Sequence, residues 1–154
     1  MATFHDFQAT TIDGQTISLD KYKGKVCLVV NVASRCGYTP QYQGLEALHR
    51  AYHDRGLAVL GFPSNDFGAQ EPGTEADIKQ FCTSRYGVTF DMFAKVPVTG
   101  SNKVDIYQFL TSSTGNQVQW NFNKFLVDKE GKVVKYYPSS VSPDSLKQDI
   151  EALL

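Results

Sequence analysis

Two apolar runs punctuate the first half of the chain, Val26-Cys-Leu-Val-Val-Asn-Val32 and Leu57-Ala-Val-Leu-Gly-Phe-Pro63. Their length and β-branched content predict strands buried on both faces, as in a parallel sheet. Between them, Gln43 to Arg55 carries Leu45, Leu48 and Tyr52 at helical spacing, with Gly56 placed to cap its end. Strand, helix and strand make a crossover unit, which closes right-handed with its strands parallel. Upstream, Asp13-Gly14 between β-favouring flanks predicts an N-terminal hairpin. Downstream, Thr74 with Asp77 three residues on forms an imperfect capping box for a helix bearing Ile78, Phe81 and Cys82, which stops at Tyr86-Gly87. A short helix over Asp105 to Leu110 follows, then a hairpin from Phe122–Asp128 to Lys132–Tyr137. A final helix is expected with Ser142 as its N-cap and Pro143 in its first position. No repeat, linker or low-complexity segment interrupts this order, so residues 1–154 read as one domain.

Hairpin, β-α-β-α, hairpin and terminal helix predict an α/β, thioredoxin-like fold: a central mixed β-sheet flanked by helices, with an added N-terminal hairpin. In open α/β sheets, chemistry gathers beyond the carboxyl ends of the strands. Cys36 falls there, between a strand end and a helix start. Free backbone N–H groups and the helix dipole favour a thiolate at such a corner, and Arg35 adds a cation. Its neighbours Ser34, Arg35, Gly37 and Thr39 are not core residues, which argues against an inert buried cysteine. The redox motif of this fold reads Cys36-Gly-Tyr-Thr39, with Thr39 where a disulfide oxidoreductase has its second cysteine. A lone cysteine cannot close a vicinal disulfide and suits peroxide reduction better than disulfide shuffling.

The formal charge of -1 gives no electrostatic case for nucleic acid or an anionic membrane surface. No window has the length of a membrane-spanning helix, and the N-terminus lacks a basic segment followed by an apolar one, so a cytoplasmic protein without a membrane anchor is expected. Three cysteines, Cys27, Cys36 and Cys82, are an odd number without zinc-site spacing; Cys27 lies within an apolar run and reads as core. His49 and His53 are four apart on a predicted helix but lack the further ligands a metal needs, so neither metal nor cofactor is expected.

Three blocks of the sequence resemble the signature blocks of the glutathione peroxidase family. They are Asn31-Val-Ala-Ser-Arg-Cys36-Gly-Tyr-Thr-Pro-Gln-Tyr, Gly61-Phe-Pro-Ser-Asn-Asp-Phe-Gly-Ala-Gln70-Glu-Pro-Gly and Trp120-Asn121-Phe-Asn-Lys-Phe-Leu-Val. They come in the family's order and span nearly the whole chain. The resemblance implies a peroxidatic cysteine at Cys36 and a tetrad completed by Gln70, Trp120 and Asn121. Indole and amide N–H groups are neutral donors able to support a thiolate and a departing oxygen.

By the same resemblance, attack on a hydroperoxide, hydrogen peroxide or an organic or lipid hydroperoxide, gives a Cys36 sulfenic acid. Cys82 is then the resolving cysteine of a thioredoxin-dependent member, forming a Cys36–Cys82 disulfide that thioredoxin reduces. The two cysteines lie on different elements, so the helix bearing Cys82 is expected to unwind in part during each cycle. Ser64 stands where many relatives carry another cysteine, which closes that route. The chain between Gly100 and Trp120 lacks the segment resembling the oligomerisation insert of tetrameric members, so a monomer is expected. Residues that hold glutathione in some relatives are not identifiable, which makes glutathione the less favoured reductant. An alternative use of the same two cysteines is a peroxide sensor that relays oxidation to a partner protein, and another is a non-catalytic binding module.

Overall fold

The computed structural model describes residues 2–154. A hairpin of β1 (Gln8–Thr10) and β2 (Thr16–Ser18) is followed by β3 (Val26–Val32), α1 (Gln41–Tyr52), β4 (Leu57–Pro63) and α2 (Glu75–Tyr86). Then come β5 (Asp91–Met92), α3 (Asp105–Thr114), β6 (Lys124–Val127), β7 (Val133–Tyr137) and α4 (Lys147–Leu153). The central sheet has the order β5-β4-β3-β6-β7. β3, β4 and β5 are parallel, whereas β6 and β7 are antiparallel to their neighbours. The sheet is therefore mixed, as the sequence predicts.

Alternation along β3 divides the interior in two. Val26, Leu28, Val30 and Val32 face a layer built with Tyr42, Leu45 and Leu48 of α1, Ile78 and Cys82 of α2, and Ile150 of α4. Cys27 and Val29 face the other way, against Ile106, Tyr107 and Leu110 of α3 and the N-terminal residues Phe4, Leu19 and Tyr22. Each such leucine or phenylalanine, fully buried, contributes about 1.5–3 kcal/mol. Every residue of β3 and β4 is buried, as expected of strands covered on both faces.

The element boundaries follow local chemistry. α1 starts at Gln41, two residues before the sequence pattern suggests, and its last turn, His53–Arg55, tightens to a 3-10 helix before Gly56 takes a left-handed φ of 104°. α2 has the capping box: Asp77 N–H donates to Thr74 Oγ1 at 3.2 Å and Thr74 N–H to Asp77 Oδ2 at 3.1 Å. α3 runs one turn beyond Leu110. Thr111, Ser112 and Thr114 turn their hydroxyls back onto the carbonyls of Tyr107, Phe109 and Leu110, and the helix closes at Gly115. Pro143 does open the last helical segment, first as a 3-10 turn, but the Ser142 hydroxyl does not cap it. β5, two residues long, has no signature in the sequence. It pairs with β4, and the bend of the N-terminal hairpin lies against it through Ile12 N–H to Met92 C=O at 3.1 Å.

Candidate active site

Cys36 lies in the turn between β3 and α1, five residues before the helix begins. Thr39 shapes this turn. Its hydroxyl accepts the Cys36 backbone N–H at 2.9 Å and donates to Ala33 C=O at 2.8 Å, while Thr39 N–H donates to Cys36 C=O at 3.0 Å. The position of a redox motif's second cysteine is thus filled by a structural hydroxyl. Tyr38 N–H donates to Cys36 Sγ at 3.3 Å, an interaction that favours negative charge on sulfur. Cys36 is buried, at 7% exposure, more so than its polar neighbours suggest. Pro40 and Tyr38 carry the chain outward, and the sulfur turns into the layer that holds Tyr42 and Phe122.

Gln70 lies in the loop after β4, and Trp120 and Asn121 in the turn before β6. The fold brings these three together. Asn121 Nδ2 donates to Gln70 Oε1 at 3.0 Å and to Phe67 C=O at 3.4 Å. Gly68, with φ of 66°, sits beneath both other side chains: a Cβ there would meet Trp120 Cη2 at 3.2 Å and the Gln70 side chain at 3.4 Å. Ala69 follows with a positive φ of 50°, so the loop is wound tightly to present Gln70. The Cys36 turn joins this group through Arg35 N–H, which donates to Gln70 C=O at 3.0 Å. Trp120 is 37% exposed and packs on Phe67 with ring centroids 5.7 Å apart, whereas Asn121 is fully buried. Its Oδ1 has no hydrogen-bond partner among the described residues.

Cys82 sits in α2, 2% exposed, in the same layer as Cys36, and all three cysteines are unpaired thiols. Burial pushes the Cys82 thiol up to about 11; the Tyr42 hydroxyl beside it acts in the opposite direction and the charge of Glu71 adds to the rise. Tyr42 is the central aromatic here. It is fully buried and packs on Phe81, Tyr86, Phe90 and Phe122. Burial takes Cys27, within β3, up to about 12, as suits a core thiol.

Two residues that shape the site carry no functional signal of their own in the sequence. Asn31, fully buried in β3, accepts Asn123 N–H at 3.1 Å and donates to Trp120 C=O at 3.0 Å, and its backbone carbonyl accepts Phe122 N–H at 2.6 Å. The one amide in Val-Val-Asn-Val is its visible sign. Glu71, next to Gln70, is 1% exposed, a rare condition for a glutamate and one invisible in a loop sequence.

A sequence model described as glutathione peroxidase matches residues 4–111. The chain is 50% identical, over 99% of its length and 96% of the other's, to a hydroperoxy fatty acid reductase of Synechocystis sp.. Among solved structures it resembles the apo crystal structure of Trgpx, with a TM-score of 0.83 and 32% identity over 99% of this chain and 96% of that one. A thioredoxin family thiol:disulfide interchange protein from Chlorobium tepidum superposes with a TM-score of 0.75 at 16% identity, over 96% of this chain and 92% of that one, a likeness of fold alone. With the thioredoxin-like sheet in place and the family's three blocks gathered at one end of it, this chain belongs to the glutathione peroxidase family.

Proposed function

We propose that the chain is a thiol peroxidase in which Cys36 attacks a hydroperoxide, with Gln70 and Trp120 as neutral donors around the sulfur and the departing oxygen and Asn121 completing the tetrad by holding Gln70 Oε1, so that the Gln70 amide is free to donate. The observation that carries this reading is the pair of bonds that join three connecting segments, Arg35 N–H to Gln70 C=O and Asn121 Nδ2 to Gln70 Oε1. They hold the cysteine turn and the amide pair as one unit, and a preorganised donor set is what lowers the barrier to charge transfer. The thiolate takes the terminal oxygen, the O–O bond breaks, and the alkoxide leaves with a proton as alcohol. Cys36 is left as sulfenic acid.

Exposed Trp120, packed on Phe67, offers an apolar surface suited to the alkyl part of an organic or lipid hydroperoxide, and Tyr38, two residues from Cys36, is likewise exposed; hydrogen peroxide needs no such surface. Cys82 resolves the sulfenic acid to a Cys36–Cys82 disulfide, and thioredoxin, rather than glutathione, reduces it. Membership of both cysteines in one packed layer supports this pairing. The 154 residues act as one domain and as a cytoplasmic monomer on this reading. Among the described residues no helix is long and apolar enough to cross a membrane.

The test is peroxide-dependent NADPH oxidation with either thioredoxin and its reductase or glutathione and its reductase, for wild type, Cys36→Ser and Cys82→Ser. Turnover with thioredoxin that is lost in both variants is expected. Glutathione-driven turnover that survives Cys82→Ser overturns the two-cysteine mechanism. The sensor alternative uses the same chemistry and differs in its destination: mixed disulfides of Cys82→Ser with one regulatory protein, instead of thioredoxin, select it.

A further inference from the structure

A cavity of about 260 Å³ is lined both by the segment that precedes Cys36 and by the helix that carries Cys82, though by neither sulfur. Ser34 and Arg35, immediately before Cys36, line one side, and Ile78 and Phe81, on the Cys82 side of α2, line the other. Glu71 projects into the space between them. Its Oε2 and the Ser34 Oγ are both buried without a hydrogen-bond partner, and both belong to this cavity wall. A buried carboxylate whose only near donors are the loosely placed hydroxyl and N–H of Ser34 is costly in a finished core, and a functional need is one reason for a protein to keep it. The backbone on either side is fixed: Glu71 N–H donates to Asn65 Oδ1 at 2.9 Å, and Lys95 Nζ donates to the carbonyls of Glu71 and Gly73 at 3.0 and 2.7 Å. The carboxyl group is thus held by its backbone and faces the Ser34 hydroxyl and N–H, with Oε2 lacking a close partner among the described residues.

We infer that Glu71 is the proton carrier of the resolving step, taking the Cys82 thiol proton and delivering it to the hydroxide that leaves Cys36. This rests on Cys82 being the resolving cysteine. The step balances without any outside reagent. As α2 opens, Cys82 sulfur bonds to Cys36 sulfur, the Cys36 S–O bond breaks, and the thiol proton passes through the Glu71 carboxylate to the departing hydroxide as water. Cys82 is oxidised and Cys36 reduced by the same electron pair.

The electrostatics are compatible with this route. Burial raises the Glu71 carboxyl above its ordinary value, with Ser34, Lys95 and Arg35 acting in the opposite direction. Asp77 lines the same cavity, and the Glu71 charge is felt at both Tyr42 and Cys82. A carboxyl group raised in this way holds an accepted proton better than an ordinary carboxylate does, which suits one that takes up a proton and then passes it on. Opening of α2 also relieves the burial that raises the Cys82 thiol, narrowing the gap between donor and acceptor.

A rapid-quench single turnover separates the two steps. Reduced protein is mixed with hydrogen peroxide, stopped with acid, and analysed by mass spectrometry for Cys36 sulfenic acid and for disulfide. Glu71→Gln preserves shape and removes the exchangeable charge. It is expected to slow disulfide formation by about 10²-fold relative to the sulfenic step in the same trace. The acid limb of the wild-type pH profile, where the rate climbs as Glu71 ionises, should vanish with it, and Glu71→Asp should restore part of both. An unchanged resolution rate and pH profile in Glu71→Gln overturns the assignment, as does an equal loss of both steps with no change in profile. Cys82→Ser in parallel keeps the underlying reading separate. If it accumulates sulfenic acid, only the Glu71 role is at stake, whereas disulfide still formed in that variant removes both.

Discussion

Asn31 holds Trp120 in place from inside the sheet, its Nδ2 donating to the Trp120 carbonyl at 3.0 Å while its Oδ1 accepts the Asn123 N–H at 3.1 Å. One buried amide in β3 thereby sets the turn that carries Trp120 and Asn121. Asn31→Leu leaves the Asn123 N–H buried without a partner, at about 1–3 kcal/mol. The expected outcome is an unfolding free energy in urea lowered by that amount. Sulfenic-acid formation should also slow by about ten- to a hundredfold, because misplacing a donor by an ångström weakens it. Loss of stability with an unaltered peroxide rate would show that the turn holds itself.

Gly68 offers a sharper probe. With φ of 66° and Trp120 Cη2 3.2 Å from where a Cβ would lie, Gly68→Ala strains the backbone and pushes on the indole. The strain alone is about 1 kcal/mol. Because the chain has a single tryptophan, its emission reports Trp120 directly. A shifted emission maximum together with slower peroxide reduction is expected; an emission spectrum identical to wild type contradicts the packing described.

Lys124 is fully buried, with no carboxylate partner among the described residues, its Nζ donating to the carbonyls of Ser139 and Val141 at 3.2 and 2.6 Å. Burial lowers its pKa to about 7, against about 10.4 in the unfolded chain. Between those values the unfolded state binds more protons than the native one, so this lysine makes stability rise with pH, by up to about 1.4 kcal/mol per unit. Below pH 7 its penalty is fully present and flat. The raised cysteines pull the other way at higher pH, so the comparison is a difference. Denaturant unfolding of wild type minus Lys124→Met, followed from about pH 6 to 9, should climb above about pH 7. A flat difference removes the claim.

α2 buries only Ile78 and Cys82 completely among its twelve residues, and its ion pair, Lys79 to Asp13 at 2.6 Å, is exposed on both sides. An exposed pair contributes at most about 1 kcal/mol, so the helix is held by its one packed side, Ile78 and Cys82 with Phe81 and Tyr86 on Tyr42, and opens once that side is given up. Amide exchange should be faster across Glu75–Tyr86 in oxidised than in reduced protein. Equal protection would mean that the cysteines meet without unwinding.

Much of this is readable in the chain, for reasons that can be named. The buried strands declare themselves because β3 and β4 are covered on both faces, leaving no polar position except Asn31. The α2 cap is legible since Thr74 and Asp77 need only each other. β5 is not, because two residues acquire strand geometry only from β4 beside them. The extra turn of α3 is hidden for a related reason: Thr and Ser discourage helix unless their hydroxyls find the preceding carbonyls, as they do here. At the site, motif blocks mark Cys36, Gln70, Trp120 and Asn121, but the depth of Cys36 and the burial of Glu71 depend on elements far away in sequence.

The packing of Cys82 under Tyr42 has a further consequence, for the electrochemical poise of the proposed disulfide. The reduced protein is the well-packed one, with Phe81 and Tyr86 on the Tyr42 ring. Oxidation has to be performed against that packing, so every ~1.4 kcal/mol of packing energy given up as α2 opens raises the reduction potential by about 30 mV. The aromatic layer thus acts as a spring loaded toward the dithiol. It makes the oxidised enzyme easy to recharge, and enlarging or trimming Phe81 tunes the potential without touching either cysteine.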